Sequence, residues 1–350
     1  MRRRKTARCR RLAAGCLLLA GLGGMAHGQP PAPTAQNPFA RPSSSAMTER
    51  TLGQWLERMH EAARRVNYVG TFVVSSASGM SSARITHACN GDQQIERIEA
   101  LSGTPRYTYR RGDEVITFWP DAKRARAERR DTFGLFPGQP SPPSPRLASY
   151  YEARQTGIER VAGHEADVVL LQPRDALRYG YRLWLERKSG LLIKVQTLDG
   201  EGRVLEQSAF SELQLNAPLK VDKLAQAMGQ TGGWRVERLD ASGSGAEGWR
   251  LAQPVAGYQS LPCKRRVVGS AEGGDFSVVH CVYTDGIASV SLFLEPGDAA
   301  QATSRPQGSY SAGATQSLRV RLADGWLTAV GEVPQATLRA FAQALERSRP

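Results

Sequence analysis

The sequence has few of the residues that bind metals or perform catalysis. It contains only five histidines and five cysteines in 350 residues. A zinc-protease motif needs a second histidine four residues after the first, but Arg64 follows His60 at that spacing and Val168 follows His164. The sequence also lacks a P-loop and a serine-nucleophile elbow. We therefore predict a protein that is not an enzyme and that uses no cofactor and no metal.

Apolar runs long enough to span a membrane are absent after the N-terminal region. That region has seven basic residues, then an apolar stretch from Leu12 to about Met25, then Ala26-His27-Gly28, which is typical of a secretory signal peptide. A lipoprotein cleavage box around Cys16 is disfavoured, because the hydrophobic run lies mostly after it. We predict a signal peptide over 1–28, cleaved near Gly28, and a flexible, Pro- and Ser-rich leader over 29–47.

Removal of the signal peptide changes the charge and the cysteine count. The remaining 39 Lys and Arg and 33 Asp and Glu give a net charge of +6 instead of +13. This charge permits contact with acidic peptides or anionic lipid head groups, but it does not indicate nucleic-acid binding. Three cysteines remain, Cys89, Cys263 and Cys281, and an exported compartment permits a disulfide between the closest pair, Cys263 and Cys281.

The pattern of apolar residues predicts an α+β protein with two domains. Apolar residues from Leu52 to Val66 recur at helical spacing, so an amphipathic helix begins the first domain. Strands follow in series, with Gly, Asn and Asp turns between them, which indicates an antiparallel meander. The predicted strands of the first domain are 68–76, 82–89, 94–101, 106–111, 114–119, 123–130, 165–172, 179–185, 191–198 and 204–213.

The domain limits follow from the composition of the chain. We expect the first domain over 48–213, a linker over 214–233, and a smaller α+β domain over 234–350 that ends in a helix after Pro334. In the second domain, Asp285-Gly286 is predicted to form a two-residue hairpin turn. That turn places Cys281 opposite Val290 on the apolar face, and His280 on the other face, exposed to solvent.

One hairpin of the first domain has an apolar face that needs a cover. In "RYGYRLWLERKSGLLIKVQTLD" (178–199), alternation predicts that the same face carries Tyr179, Tyr181, Leu183, Leu185, Leu191, Ile193 and Val195. This apolar face is buried by the protein's own helices, by a lipid or by another protein. The sequence leaves these three alternatives open.

Two further segments have alternative interpretations. The run "KRARAERR" contains Lys123, Arg124, Arg126, Arg129 and Arg130. It is either a solvated strand edge protected by charge or a basic rim that binds lipid phosphates or an acidic peptide. The proline-rich stretch 133–147 carries Phe133, Leu135 and Phe136, and it is either a plain connector or a lid.

Several stretches resemble the RseB/MucB family of periplasmic regulators of envelope-stress sigma factors. They extend from about Met47 to the C-terminus, in matching order and spacing. The stretches are "YVGTFVV" (68–74), "YRRGDEVITFWP" (109–120), "ERVAGHEADVVLLQPRDALRYGYRLWLERKSGLLIKVQTLDGEGRVLEQ" (159–207), "YTDGIASVSLFLE" (283–295) and "AVGEVPQATLRAFAQAL" (329–345).

The resemblance implies a fold and a function. The first domain would be a curved antiparallel half-barrel, similar to the LolA/LolB lipoprotein carriers, with helices in its concave face. The protein would be periplasmic, would bind the periplasmic segment of a membrane-bound anti-sigma factor and would shield it from site-1 proteolysis. Lipopolysaccharide or acylated lipid would release it. The disulfide rests on the hairpin argument and not on the resemblance.

The implied lipid response gives the apolar face of the sheet a role. A half-barrel with a groove can take up acyl chains, and each buried methylene contributes about 0.8 kcal/mol. The expected groove residues are Phe72, Val74, Phe118, Tyr179, Leu183, Leu185 and Ile193, with the basic run 123–130 at the head groups. The alternative function is a periplasmic lipid or lipoprotein carrier of LolA type. The sequence does not say whether the protein forms a homo-oligomer.

Overall fold

The computed structural model describes residues 50–91, 93–129, 144–239, 242–244, 248–269, 275–296, 306–323 and 325–347. The predicted signal peptide (1–28), the leader (29–47), Arg130 and residues 133–143 of the proline-rich stretch lie outside the described residues. Within the described ranges, no helix is long and apolar enough to cross a membrane.

A large curved sheet of twelve strands forms the first half of the protein, and ten of its eleven pairs of neighbouring strands are antiparallel. The strands are β1 (Tyr68–Ser76), β2 (Gly79–Cys89), β3 (Gln94–Ala100), β4 (Tyr107–Arg111), β5 (Glu114–Trp119), β6 (Arg124–Arg129), β7 (Tyr151–Val161), β8 (His164–Pro173), β9 (Gly180–Glu186), β10 (Leu192–Leu198), β11 (Val204–Leu215) and β12 (Arg235–Leu239). Their order in the sheet is β12-β6-β5-β4-β3-β2-β1-β11-β10-β9-β8-β7. A short 3₁₀ helix, Pro145–Ser149, precedes β7.

Two helices pack on opposite faces of this sheet. Helix α1 (Leu52–Arg65) begins with a capping box formed by Thr51 and Gln54. The carbonyl of Ala63 in α1 lies 2.9 Å from the ring of His87. The next residue, Ala88, is on the other face and packs in a cluster with Val221 and Met228 of helix α2 (Val221–Gly229). We call these surfaces the α1 face and the α2 face. The predicted α+β fold class, with a curved antiparallel sheet and a separate smaller domain, is confirmed.

The segment expected to be a linker is part of the first domain. Residues 214–233 contain α2, which packs against β2 and β3. The next strand, β12, pairs in parallel with β6, from Arg235 opposite Arg124 to Leu239 opposite Glu128. Nothing local in the sequence indicates a parallel partner more than a hundred residues away.

A smaller sheet and one helix form the second half. The elements are β13 (Ser242–Ser244), β14 (Trp249–Leu251), β15 (Gln259–Ser260), β16 (Lys264–Gly269), β17 (Asp275–Thr284), β18 (Ser289–Pro296), β19 (Gly308–Ala312), β20 (Thr315–Leu322), β21 (Gly325–Gly331), α3 (Gln335–Ala344) and β22 (Leu345–Arg347). The main path of the sheet is β13-β16-β17-β18-β21-β20-β19, and β14 pairs separately with β22. Leu338 and Phe341 of α3 are completely buried against one face.

The predicted disulfide is confirmed, but the predicted register of its hairpin is wrong. Cys263 and Cys281 are bonded, and both belong to the core under α3. Cys281 lies opposite Leu292 and not Val290, because the turn has four residues, from Asp285 to Ala288. His280 is half-buried, stacked on Phe293 at 4.4 Å, and is not a solvated residue.

Candidate binding surface

The predicted groove residues fall into three separate clusters. Tyr179, Leu183 and Leu185 lie in the first cluster, which is covered by α1 and by two residues of the second domain, Ile287 and Ala314. The α1 residues of this cluster are Leu52, Trp55, Leu56 and Met59. The protein's own elements therefore cover the apolar face of the 178–199 hairpin.

A β-bulge places Ile193 in a different cluster. The pairing of β10 with β9 shifts between Leu192 and Lys194, so Leu192 and not Leu191 lies opposite Leu185. Ile193 packs instead with Phe72 and Phe210, and Val74 lies at the margin of that cluster. The expectation that Leu191 and Ile193 continue the face of Leu183 is wrong, because the extra residue of a bulge breaks the two-residue period.

Phe118 lies on the α2 face, away from the other groove residues. Its ring stacks on Tyr107 at 4.9 Å and meets Trp234 edge-on at 5.0 Å. Strand alternation requires this position, because Phe118 pairs with Ala125, which is buried in the cluster beneath α2. The seven residues therefore do not line one groove.

The predicted basic run is also divided between the two faces. Arg124 and Arg126 lie on the α1 face, where their guanidinium groups stack on Trp119 at 4.5 and 5.9 Å. Arg126 also forms an ion pair of 3.2 Å with Glu237 of β12. The two arginines and Trp119 are half-exposed, so this Trp119 patch can present positive charge next to an aromatic ring.

The other basic residues of the run lie apart from the Trp119 patch. Lys123 is at the turn before β6, with its ammonium group 5.4 Å from the ring centre of Trp234. Arg129 is exposed and lies 3.7 Å from the carboxylate of Asp113. Arg130 is outside the described residues. Of the five basic residues predicted to form a rim, only Arg124 and Arg126 therefore lie together on one face.

A buried charged network beside α1 could not be read from the sequence. His87 Nδ1 lies 3.0 Å from Glu96 Oε1, and Arg110 donates to the other oxygen of Glu96 at 2.6 Å. Burial lowers the pKa of His87, but hydrogen bonds with Cys89 and Glu96 and the charge of Glu96 outweigh burial and raise the pKa to about 9. Burial raises the pKa of Glu96, but His87 and Arg110 outweigh it and lower the pKa.

This network is structural in character. The imidazolium of His87 can donate to Glu96 and to the carbonyl of Ala63 at the same time, which fixes the end of α1 on the sheet. The half-buried thiol of Cys89 donates to Asn67 Oδ1 at 3.4 Å. In the described part of the chain, no group of His, Cys, Asp and Glu is arranged to bind a metal.

A second buried network joins the two domains. Arg178 donates to Asp285 Oδ2 at 2.8 Å and to the carbonyl of Ala256 at 2.7 Å, and Tyr151 donates to the same Asp285 oxygen at 3.0 Å. The guanidinium lies against the ring of Tyr258 at 4.8 Å. We call this set of contacts the Arg178 joint. Alternation along 178–199 puts Arg178 on the face opposite Tyr179 but does not indicate a buried ion pair.

A cleft of about 540 Å³ lies beside the Arg178 joint. Both domains contribute to its walls, so a bound chain segment would contact both. Its lining includes Arg174, Asp175, Tyr179 and Asp199 from the first domain and Gln316, Pro334 and Gln335 from the second.

Both halves of the chain match known family models. Residues 51–228 match the MucB/RseB N-terminal domain, and residues 243–346 match the MucB/RseB C-terminal domain. The sigma factor AlgU regulatory protein MucB of Pseudomonas aeruginosa is 30% identical over 295 residues, which cover 83% of this chain and 89% of MucB. The sigma-E factor regulatory protein RseB of Escherichia coli K12 is 23% identical over 304 residues, which cover 87% of this chain and 93% of RseB.

Solved structures agree with this similarity. The crystal structure of MucB in complex with MucA(peri) has 26% identity and a TM-score of 0.63, and the match covers 85% of this chain and 99% of that chain. The complex of Pseudomonas aeruginosa MucA and MucB has 27% identity, a TM-score of 0.64 and the same coverage. The resemblance seen in the sequence is confirmed: the chain belongs to the MucB/RseB family.

Proposed function

We propose that this protein is a periplasmic regulator that binds the periplasmic segment of a membrane-bound anti-sigma factor of the MucA or RseA type. The observation that carries the proposal is the match, over 85% of the chain, to MucB in complex with MucA(peri). The cleft beside the Arg178 joint supports it, because an extended segment bound there would contact both domains.

Calorimetry tests the binding directly. The ligand is the periplasmic segment of an anti-sigma factor of the MucA or RseA type from the same organism, titrated into the chain without residues 1–28. We expect specific binding, and we expect Gln316→Arg to weaken it, because the buried Gln316 lines the cleft and a larger cation would obstruct it. Arg321→Gln, an exposed position outside the cleft, is the control. No binding of the unmodified chain would contradict the proposal.

The bound regulator shields the segment from site-1 proteolysis, and acylated lipid or lipopolysaccharide releases it. The Trp119 patch is the part of the first sheet that suits a lipid phosphate, because Arg124 and Arg126 are half-exposed there. The acyl chains would have to enter between α1 and the sheet, since α1 covers Leu183 and Leu185. Lipid and anti-sigma segment then favour different positions of α1, and their coupling is reciprocal.

Charge-matched variants test the lipid response. Arg124→Ala with Arg126→Ala removes the charges at the Trp119 patch, and Arg160→Ala with Arg187→Ala removes two exposed charges elsewhere. We expect the first pair to raise the lipopolysaccharide concentration that displaces the anti-sigma segment, and the second pair to leave it unchanged. Equal effects would contradict a role for the patch. Lipid retention without any binding of the segment would favour the carrier alternative.

A further inference from the structure

Two turns of the second domain reach into the apolar cluster beneath α1 that contains Leu183 and Leu185. We call it the α1 cluster. Ile287 enters it from the turn between β17 and β18, and Ala314 enters it from the turn between β19 and β20. In the described part of the chain, the other buried members all belong to the first domain. Each turn therefore contributes one buried side chain to the cover of the first sheet.

Ile287 is connected to the Arg178 joint through its own turn. Oδ1 of Asp285 accepts the backbone N–H groups of Ile287 at 2.8 Å and of Ala288 at 2.7 Å. Oδ2 of the same carboxylate accepts hydrogen bonds from Arg178 and Tyr151. Arg178 also lines the cleft between the domains. A displacement of Ile287 is therefore passed to the wall of the cleft through a single carboxylate.

Ala314 is connected to the same cleft through a short stretch of β20. Gln316 follows closely after Ala314 in the chain, is 6% exposed and lines the cleft. Its side chain is within hydrogen-bonding reach of Tyr179, which lines the cleft and also belongs to the α1 cluster. Both turns thus join the α1 cluster to the cleft.

The α1 cluster must rearrange to take up an acyl chain. Its buried members are at most 8% exposed, and protein cores are close-packed, so a chain enters only if some members move. The strands beneath the cluster belong to a twelve-stranded sheet. Ile287 and Ala314 instead lie at the tips of hairpins, where a displacement costs less. A chain that lifts α1 also removes the surface against which both tips pack.

We propose that Ile287 and Ala314 couple the α1 cluster to the cleft, so that an acyl chain beneath α1 weakens the binding of the anti-sigma segment by displacing these two turns. The inference rests on the proposed function, because it concerns how the two ligands of that function affect each other. Coupling between separate sites is reciprocal and changes affinity about 5- to 150-fold. It also has a limit, because the chain with an acyl ligand still binds the segment, only less tightly.

Calorimetry separates this coupling from direct competition. The anti-sigma segment is titrated into the chain without residues 1–28 at increasing concentrations of dodecanoate, which serves as the acyl probe. We expect the dissociation constant of the segment to rise about five-fold or more and then to reach a plateau. A dissociation constant that rises with dodecanoate without a plateau would show that both ligands compete for one site, and it would overturn the proposal.

Truncation of Ile287 tests the path through the Arg178 joint. In Ile287→Ala, we expect the effect of saturating dodecanoate to fall below about two-fold, because the shortened side chain no longer presses on its turn. Ile287→Val, a milder truncation, should give an intermediate effect. The matched control is Leu192→Ala, which removes the same number of carbon atoms from the α1 cluster but from β10 of the first domain. The control should keep most of the effect, and an equal effect in Ile287→Ala and Leu192→Ala would overturn the proposal.

Hydrogen exchange tests the coupling without the anti-sigma segment. Saturating dodecanoate should speed the exchange of the backbone N–H groups of Ile287 and Ala288 several-fold, because their acceptor Asp285 loosens. The N–H groups of β3, which lies outside the α1 cluster, should be unaffected. Unchanged exchange at Ile287 and Ala288 would overturn the proposal. Faster exchange in a chain that does not bind the segment would support the coupling and contradict the proposed function instead.

Discussion

Arg178 donates a hydrogen bond of 2.8 Å to Asp285, and both side chains are completely buried. Arg178 stands before β9 in the first domain, whereas Asp285 begins the turn between β17 and β18 in the second. The same carboxylate accepts the backbone N–H groups of Ile287 and Ala288 through its other oxygen. One side chain therefore shapes the turn and holds the two domains together.

Removal of Arg178 should strongly destabilise the protein. Arg178→Met leaves the Asp285 carboxylate buried without its cation, and we expect a loss of about 3–5 kcal/mol in the free energy of unfolding. The control is Arg174→Met, because Arg174 and Glu152 form an ion pair of 3.6 Å in which both side chains are more than half exposed. The control should lose less than about 1 kcal/mol. Urea unfolding measures both, and similar losses would contradict a structural role for the joint.

The Arg178 joint also explains why one hairpin was predicted wrongly. Locally, Asp285-Gly286 is typical of a two-residue turn. In the structure, Arg178 and Tyr151 bind one oxygen of Asp285, and the backbone of Ile287 and Ala288 binds the other. Contacts from another domain thus favour a longer turn, and the register moves by two residues.

The strands of the first sheet were predicted well because their alternation is local. The observed bounds of β1 and β5 equal the predicted ones, and most of the other predicted strands differ by one or two residues at an end. Strand β2 begins three residues earlier than predicted, and β7 was not predicted. The placement of side chains was less predictable. The bulge at Ile193 is not indicated by the alternation of apolar residues, although its partner β9 is the preceding strand. The groove residues are split because Phe118 alternates onto the α2 face. Only the parallel pairing of β12 depends on a partner distant in sequence.

The His87 network predicts a loss of stability at alkaline pH. The pKa of His87 is about 9 in the folded chain and 6.5 when unperturbed, so the folded state holds the proton more tightly. This stabilisation is fully present below about pH 6.5 and is lost as the pH rises through 9. The difference corresponds to at most about 3 kcal/mol.

Two measurements check the His87 prediction. In an NMR titration, the ring protons of His87 should shift with a midpoint near 9; a midpoint at or below 6.5 would contradict it. Urea unfolding between pH 6.5 and 9.5 should show a declining free energy of unfolding. The control is His87→Gln, which keeps a side-chain donor but does not titrate, so its decline should be smaller.

The disulfide should contribute measurably to the stability of the second domain. The bridge joins residues 18 positions apart, and the chain-entropy estimate for such a loop is about 3 kcal/mol. We expect Cys263→Ala with Cys281→Ala to lose this amount in urea unfolding. The control is the double variant in reducing agent, because it has no bridge left to reduce. If reducing agent lowered the stability of the unmodified chain and of the double variant equally, the bridge would not be the cause.

A methyl group at Gly70 should disturb the packing of the α1 face. A Cβ atom there would lie 2.6 Å from the ring of Phe210 and 2.7 Å from the carbonyl oxygen of Glu212. The ring cannot move freely, because it also meets Phe72 and Tyr68 edge-on at 6.3 and 5.9 Å. We expect Gly70→Ala to lower the free energy of unfolding by about 1–3 kcal/mol, as for other overpacked cores.

Gly157 provides the matched control for Gly70. It also lies in a strand of the first sheet and has no positive φ, but a Cβ there would meet no atom within 4 Å. Replacement of a strand glycine by alanine restricts the unfolded chain and is otherwise neutral or slightly stabilising. Urea unfolding should therefore separate the variants, with only Gly70→Ala destabilised. Equal stability of the Gly70→Ala and Gly157→Ala variants would show that Phe210 and β11 can shift at little cost. The α1 face would then be loosely packed, and an acyl chain could enter beneath α1 more easily.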